Sequence, residues 1–97
     1  MGNLYIVAVF HFKEETSAAA KTVMEKLVTE TRKEEGCLQY DLVEDNARKG
    51  IYFIVELWES TPHHAKHDET EHLNNFRTQA GPLMKSSAEV YKGAKIF

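Results

Sequence analysis

The chain contains little cysteine: Cys37 is the only one among its 97 residues. A single cysteine excludes an intramolecular disulfide, and it excludes zinc or iron–sulfur sites built from four cysteines. The sequence also has no glycine-rich dinucleotide fingerprint and no phosphate-binding loop, so we expect no tightly held nicotinamide or nucleotide. No apolar run reaches the ~20 residues of a membrane-spanning helix.

An excess of either charge is also missing. Twelve basic and fifteen acidic residues give a net charge of -3, and the two signs are interspersed. This distribution offers no basic patch for nucleic acid or for a membrane surface. No signal peptide is recognisable, because Met1-Gly2-Asn3 leads directly into an apolar segment. We therefore predict a cytoplasmic protein without nucleic-acid or membrane partners, and the length predicts one domain over residues 1–97.

The apolar pattern predicts the order strand, helix, strand, strand, helix, strand. Strands are predicted over Leu4–Phe12, Cys37–Glu44, Ile51–Trp58 and residues 89–97. The first helix carries an apolar stripe formed by Ala20, Val23, Met24, Leu27, Val28 and Thr31. The second helical segment starts at Thr61-Pro62, breaks near residues 68–70, and continues with Leu73, Phe76 and Ala80 on one stripe. This order is typical of ferredoxin-like α+β folds, in which helices cover one face of a four-stranded antiparallel sheet.

The first and third predicted strands carry apolar side chains on both faces. Helices can cover only one of these faces, and a bare apolar sheet face usually marks an interface. We therefore predict a homodimer packed through the second face of the sheet. We also predict a cavity between the sheet and the helices, lined by aromatic side chains.

Four of the five histidines lie between residues 63 and 72. Histidine titrates near neutrality, so this cluster beside an apolar hairpin predicts a site of proton transfer. His67 is the first candidate for a catalytic residue and His72 the second, and each has a structural alternative as a helix residue satisfied by water or backbone. His63 and His64 are predicted to be solvated, because they lie in a first helical turn beside Pro62.

The remaining site candidates are apolar or acidic. Glu56 and Trp58 lie two residues apart on one strand, so they share a face. Glu56 either orients a histidine or pairs with a basic residue, and Tyr40, Trp58 and Phe76 either fill the core or line the cavity. His63, His67 and Glu71 have the spacing of a metal site on an unbroken helix, but the predicted break would separate them. We expect no metal.

The chain resembles the antibiotic biosynthesis monooxygenase (ABM) family. The matching pieces are Glu35-Gly36-Cys37-x-x-Tyr40, Glu56-x-Trp58-Glu59-Ser60, His67 followed by His72, and Pro82-Leu83. The resemblance implies a ferredoxin-like fold, a dimeric α+β barrel and a cavity between sheet and helices. Many members oxidise aromatic anthrones or quinols with O₂ and without flavin, metal or haem.

Other branches of that family have other activities. The haem-degrading branch has a tryptophan where this chain has His67. It also has an asparagine in the middle of the first strand, where this chain reads Ile6-Val7-Ala8-Val9. Both differences count against haem degradation. A branch that isomerises a phosphorylated quorum-sensing sugar derivative shares His67-x-x-x-x-His72 and the acid at Glu56, although it typically lacks Trp58.

The leading hypothesis is a cofactor-independent monooxygenase of a small quinol- or anthrone-like substrate, which takes O₂ as its second substrate. In it His67 and His72 are catalytic, and Tyr40, Glu56, Trp58 and Phe76 form the substrate pocket. The alternatives are an isomerase of a small hydroxy-ketone or phosphorylated sugar derivative, and a non-catalytic small-molecule-binding or stress protein.

Overall fold

The chain forms one antiparallel sheet with helices on one of its faces. The structure is a computed structural model that describes residues 2–97. The strands are β1 (Leu4–Phe12), β2 (Cys37–Glu44), β3 (Ile51–Trp58) and β4 (Met84–Gly93), in the spatial order β2-β3-β1-β4. The helices are α1 (Ser17–Thr31), α2 (Thr61–His67) and α3 (Glu71–Ala80), and short 3₁₀ turns span Glu14–Thr16 and Gly81–Leu83. The predicted ferredoxin-like arrangement is confirmed, including the break between α2 and α3.

Helix α1 buries the stripe that its sequence predicts. Ala20, Met24 and Leu27 are almost fully buried against the sheet, while Val23 at the edge of the stripe is half-buried. Thr16 occupies the position before the helix, but its hydroxyl donates to the Leu83 carbonyl at 2.8 Å instead of capping α1. This bond ties the start of α1 to the turn that leads into β4.

The last strand lies earlier than the sequence pattern predicts. The expected strand over residues 89–97 was wrong: β4 spans Met84–Gly93, and residues 94–97 lie outside it. The reason is that β4 is an edge strand whose residues after Met84 are all exposed. An exposed edge strand has no buried face to impose an apolar alternation, so the polar run Lys85-Ser86-Ser87 gives no strand signal.

The two faces of the sheet differ in what covers them. On β3, Tyr52, Ile54, Glu56 and Trp58 are buried beneath the helices. The alternate residues point to the opposite face, where no element of residues 2–97 packs, and Tyr5 and Val7 are each 39% exposed there. None of the described helices is long and apolar enough to cross a membrane.

Candidate active site

A cavity of about 410 Å³ lies between the sheet and helices α2 and α3. Much of its wall is apolar, with Ile6, Phe10, Leu27, Leu73, Phe76 and Val90 among the lining residues. Its polar end is formed by Tyr40, Glu56, His64, His67 and Asp68. The cavity therefore combines an apolar body with a small group of ionisable side chains, the arrangement expected of a small-molecule site.

One row of side chains crosses the floor of this cavity. The strand register places Tyr40 opposite Glu56, Glu56 opposite Ile6, and Ile6 opposite Lys92. Residues in register on neighbouring strands point to the same face, so all four point to the face that the helices cover, and Lys92 at the edge of the sheet is exposed. Their order runs from β2 at one edge of the sheet to β4 at the other.

Helix α2 aims two histidines at the polar end of the row. Ser60 caps the helix by accepting a hydrogen bond from the His63 backbone N–H at 3.3 Å. His64 and His67 are one helical turn apart and therefore share a face. They are 8% and 3% exposed, respectively. The prediction that His64 is solvated was wrong, because the first turn of α2 faces the cavity on the His64 side.

His63 points elsewhere, as its neighbours show. Its Nδ1 lies 2.6 Å from the Ser60 hydroxyl, and its ring packs against Gly36. A Cβ at Gly36 would lie 2.3 Å from the His63 Cγ, and Gly36 has a φ of +85°. Glycine is therefore needed there for both conformation and close approach. The contact fixes α2 against the start of β2.

His67 is held by hydrogen bonding and by aromatic packing. Its Nδ1 lies 2.7 Å from the Oε2 of Glu34. A carboxylate only accepts hydrogen bonds, so Nδ1 carries the proton and Nε2 of the neutral ring keeps its lone pair. The ring packs against Trp58 with centroids 4.9 Å apart and the ring planes tilted by 40°, and it meets Tyr40 at a centroid distance of 5.6 Å. Among residues 2–97 nothing hydrogen-bonds Nε2, which is the free basic atom of a cavity-lining side chain.

Glu34 also binds His72. The His72 Nε2 lies 2.6 Å from the same Oε2 atom that accepts from His67. His72 does not line the cavity between the sheet and helices α2 and α3, and its side chain is 25% exposed. The two histidines thus meet at one carboxylate oxygen, with His67 on the cavity side and His72 nearer to solvent.

Glu56 is a buried acid with a titration near neutrality. It accepts a hydrogen bond from Trp58 Nε1 at 2.9 Å, and His64 Nε2 lies 4.0 Å from its Oε1. Burial raises the pKa of Glu56 to about 7, against the opposing effects of the Trp58 hydrogen bond and the Lys92 charge. Burial also lowers the pKa of His64, which disfavours its charged form. Burial thus disfavours the charged form of both Glu56 and His64, so their contact is not a strong ion pair.

The structure brings most of the predicted site residues together. Tyr40, Glu56, His67 and Phe76 line the cavity, whereas Trp58 lies behind His67 and His72 lies beyond Glu34. Two residues were missed by the sequence analysis, His64 and Glu34. The three-residue spacing from His67 could have indicated His64. Glu34 lies 33 residues from His67 in the chain, so no local pattern pairs them.

Two sets of three side chains offer ligand atoms within 4.8 Å of one another: Glu34 with His67 and His72, and Glu56 with His64 and His67. In the first set both contacts are direct hydrogen bonds of 2.6–2.7 Å. Neighbouring ligands of a tetrahedral zinc ion are roughly 3.3 Å apart, so this set already satisfies itself without an ion. The wider second set could admit one. The set weighed from the sequence, His63 with His67 and Glu71, is not brought together among the described residues.

Comparison with known proteins places the chain in a family. The model of the family described as antibiotic biosynthesis monooxygenase matches residues 3–79. The chain belongs to this family. The matched range includes Glu34, His67 and His72, and every residue of α2.

Individual ABM relatives agree with this assignment. Rv0793 of Mycobacterium tuberculosis, provisionally named a monooxygenase, is 30% identical over 79 residues, which cover 81% of this chain and 77% of the relative. YcnE of Bacillus subtilis, named in the same way, is 29% identical over 68 residues, covering 70% of this chain and 72% of its own length. The solved structure of Rv0793 superposes with a TM-score of 0.91 at 27% identity, covering 98% of this chain and 96% of that one.

The fold is shared more widely than the sequence. A protein of Pseudomonas aeruginosa, PA3566, superposes with a TM-score of 0.93 at 24% identity, covering 100% of this chain and 97% of that structure. At this identity the match supports the fold alone. The relatives' names support the class of monooxygenase, and the chemistry of this chain has to be argued from its own residues.

Proposed function

We propose that this chain is a cofactor-independent monooxygenase of a small aromatic quinol- or anthrone-like substrate, with His67 as its base. The observation that carries the proposal is the hydrogen bond from His67 Nδ1 to Glu34 at 2.7 Å. It fixes the tautomer and the orientation of the imidazole, so the free Nε2 can accept a proton in the cavity. The same logic governs a carboxylate-oriented histidine in hydrolases.

The cavity suits an aromatic guest. Its volume of about 410 Å³ falls within the usual range of small-molecule sites. Phe10 and Phe76 line it, and their rings meet edge to face with centroids 5.6 Å apart. Apolar walls also exclude water from the cavity, which protects a reactive substrate anion formed there from side reactions.

The proposed reaction balances without a cofactor. His67 Nε2 takes the proton from an acidic C–H or O–H of the substrate, which leaves a delocalised carbanion or phenolate. That anion gives up electrons to O₂, a carbon–oxygen bond forms, and the hydroperoxide returns to neutrality by taking the proton back from His67. Loss of water across the O–O bond converts an anthrone CH₂ into a C=O, so one O₂ yields one ketone oxygen and one water.

Glu34 and His72 support the base in this proposal. When His67 becomes protonated, Glu34 stabilises the imidazolium as a charge-assisted hydrogen-bond acceptor. His72 donates its Nε2–H to the same oxygen and so helps to hold the carboxylate in place. His67 therefore keeps the substrate proton until the hydroperoxide anion takes it back.

We also propose that the protein is a homodimer joined through the uncovered face of the sheet. Tyr5, Val7, Val55 and Tyr91 lie together on that face. The neighbouring strands bring further apolar side chains, Val9 and Phe53 among them, to the same side. A second copy packed there would remove this apolar surface from water.

The test is O₂ uptake by metal-stripped protein with a panel of anthrones and hydroquinols. The wild type should consume O₂ above autoxidation, and His67→Gln should lose at least about 100-fold in rate, the usual contribution of a general base. Lys66→Gln is the matched control, because Lys66 lies on the same helix but is exposed and does not line the cavity. Equal rates in His67→Gln and the wild type would rule out His67 as the base.

One observation favours a second candidate, an isomerase of a small hydroxy-ketone. Glu56 lies beside His64 with a pKa raised to about 7 by burial, so the cavity holds a second group able to carry a proton near neutrality. An isomerase would exchange substrate protons in deuterated water under nitrogen. A monooxygenase would turn over only with O₂.

A further inference from the structure

Lys92 stands at the opposite end of the cavity floor from the histidines. It lies on β4, in register with Ile6, and its side chain lines the cavity. Ile6 in turn is in register with Glu56, so one apolar side chain separates Lys92 from the buried acid along the row. Two steps between neighbouring strands amount to roughly 10 Å of floor.

Within residues 2–97, no side chain forms a hydrogen bond or an ion pair with the charge of Lys92. Besides the histidines, two basic residues line the cavity, Arg77 and Lys92. Arg77 is occupied, because its guanidinium bonds the Asp68 carbonyl and Asn74 and lies 3.8 Å from the Asp68 carboxylate. Lys92 makes no hydrogen bond and no salt bridge with any side chain of residues 2–97. It is thus the one lining cation, within the described chain, that is free to meet a ligand.

We infer that Lys92 binds an oxygen anion at the far end of an aromatic substrate, so the substrate class is a planar ring system with oxygens at both ends. This inference rests on the proposed function, because it takes His67 as the end where the proton is removed. A flat ring over Ile6 would place one oxygen near His67 and Tyr40 and the other within reach of the long Lys92 side chain.

The chemistry of a conjugated ring explains why a cation belongs there. Removing a proton at one end of such a ring delocalises negative charge onto the oxygen at the other end when that oxygen belongs to a conjugated carbonyl group, as in an anthrone. A lysine already in place stabilises that charge without reorganisation as it develops. The same contact would select para-related or otherwise opposed oxygens over rings with oxygen at one end only.

The test measures binding without turnover, using two ligands that differ by one negative charge and one methyl group. 6-Hydroxy-2-naphthoate carries a phenol at one end and a carboxylate at the other, and its methyl ester is the uncharged match. Titration calorimetry under nitrogen compares the wild type with Lys92→Met, Lys92→Arg and Lys85→Met. Lys85 is the matched control, because it lies on the same strand but outside this cavity.

Lys92→Met should lose about tenfold or more in affinity for the anion, the usual effect of removing a charge-assisted bond. Its affinity for the ester should stay within about twofold, Lys92→Arg should retain the anion, and Lys85→Met should match the wild type. An unchanged ratio of anion to ester affinity in Lys92→Met would overturn the inference, as would equal losses in the two methionine variants.

Two further outcomes would also overturn it. Wild-type protein that binds neither naphthalene ligand would exclude the aromatic class. Wild-type protein that binds inorganic phosphate in preference to the naphthoate, with that preference lost in Lys92→Met, would assign the lysine to a phosphorylated substrate. None of these readouts depends on O₂ uptake, so a failed oxygenase assay and a failed lysine assignment can be told apart.

Discussion

Glu34 is the residue on which the proposed base depends most directly. It accepts from His67 at 2.7 Å and from His72 at 2.6 Å through one oxygen atom. The carboxylate is only 13% exposed, so its bonds to the two histidines are largely shielded from water. It therefore acts as a positioning residue that fixes the ring from behind the cavity.

Replacing Glu34 by glutamine should lower turnover about 100-fold, because a misplaced base loses the alignment that proton transfer needs. KM should change little, since Glu34 does not line the cavity. Proton NMR supplies a second readout: the hydrogen-bonded Nδ1–H resonance of His67 should shift or vanish. Glu35→Gln, on the exposed neighbour, is the control. A normal rate in Glu34→Gln would remove Glu34 from the mechanism.

Glu56 should make the stability of the protein depend on pH. Burial raises its folded pKa to about 7 from 4.5, so the folded state holds a proton that the unfolded state releases between these values. This contribution to stability is complete below the unfolded pKa and is lost as the pH rises through the folded one.

Glu56→Gln removes that titration and keeps an oxygen for Trp58. The free energy of unfolding of the variant, relative to wild type, should therefore increase by about 2 kcal/mol between roughly pH 5 and pH 8. Urea denaturation at a series of pH values measures this difference. A difference that is constant across the series would show that Glu56 titrates alike in both states.

Single residues of the site were partly visible in the sequence. His67 and Glu56 were recognisable because their neighbours in the chain already define a helix and a strand that face the same cavity. His64 was wrongly predicted to be solvated, because residues in the first turn of a helix, next to a proline such as Pro62, are usually exposed to solvent. The Glu34 contact was invisible, because it joins the turn after α1 to α2 and depends on how the two helices pack.

At the scale of elements, helix α2 is held in place by Gly36 at the entry to β2. Gly36 adopts a left-handed φ of +85°, and its missing side chain leaves room for the His63 ring. Glu59 donates its backbone N–H to the Gly36 carbonyl at 2.8 Å, which ties the end of β3 to the same point. These contacts of Gly36 with His63 and Glu59 fix where α2 lies, and so they set the positions of its histidines.

Gly36→Ala should destabilise the fold by about 2 kcal/mol or more, because the new Cβ meets the His63 ring and the backbone becomes strained. Gly81→Ala is the control: its φ is −48° and no atom lies within 4 Å of an added Cβ. That variant should change stability by less than about 1 kcal/mol. Equal effects of the two substitutions, measured by urea denaturation, would contradict the role of Gly36.

The elements differ in how well the sequence predicts them, and burial explains the difference. β1, β3 and α1 have buried faces, so their apolar periodicity gives their boundaries closely. β4 is exposed along almost its whole length, and its start is decided instead by the turn at Gly81–Leu83. Edge strands carry little pattern of their own, since pairing on one side is all that holds them.

At the scale of the whole molecule, the uncovered sheet face predicts the assembly. Val7 lies on the central strand β1 and is 39% exposed although it is apolar. Val7→Glu would place a charge in the proposed interface, where burial without a partner is costly. We expect the wild type to be a dimer and Val7→Glu a folded monomer at micromolar concentration.

Light scattering after gel filtration measures the mass, and circular dichroism checks that the variant is folded. Thr78→Glu, on the exposed side of α3, is the matched control and should stay dimeric. A wild-type monomer, or a Val7→Glu dimer of unchanged stability, would contradict the assignment of this face.

The proposed reaction requires the protein itself to transfer one oxygen atom from O₂ to the substrate without a cofactor. The most direct measurement is incubation of metal-stripped wild-type protein and an anthrone under ¹⁸O₂, with mass spectrometry of the ketone product. We expect one ¹⁸O atom in each product molecule, and we expect His67→Gln to form this product more slowly than the wild type. Product that carries oxygen from water, or that forms equally fast under nitrogen, would contradict it.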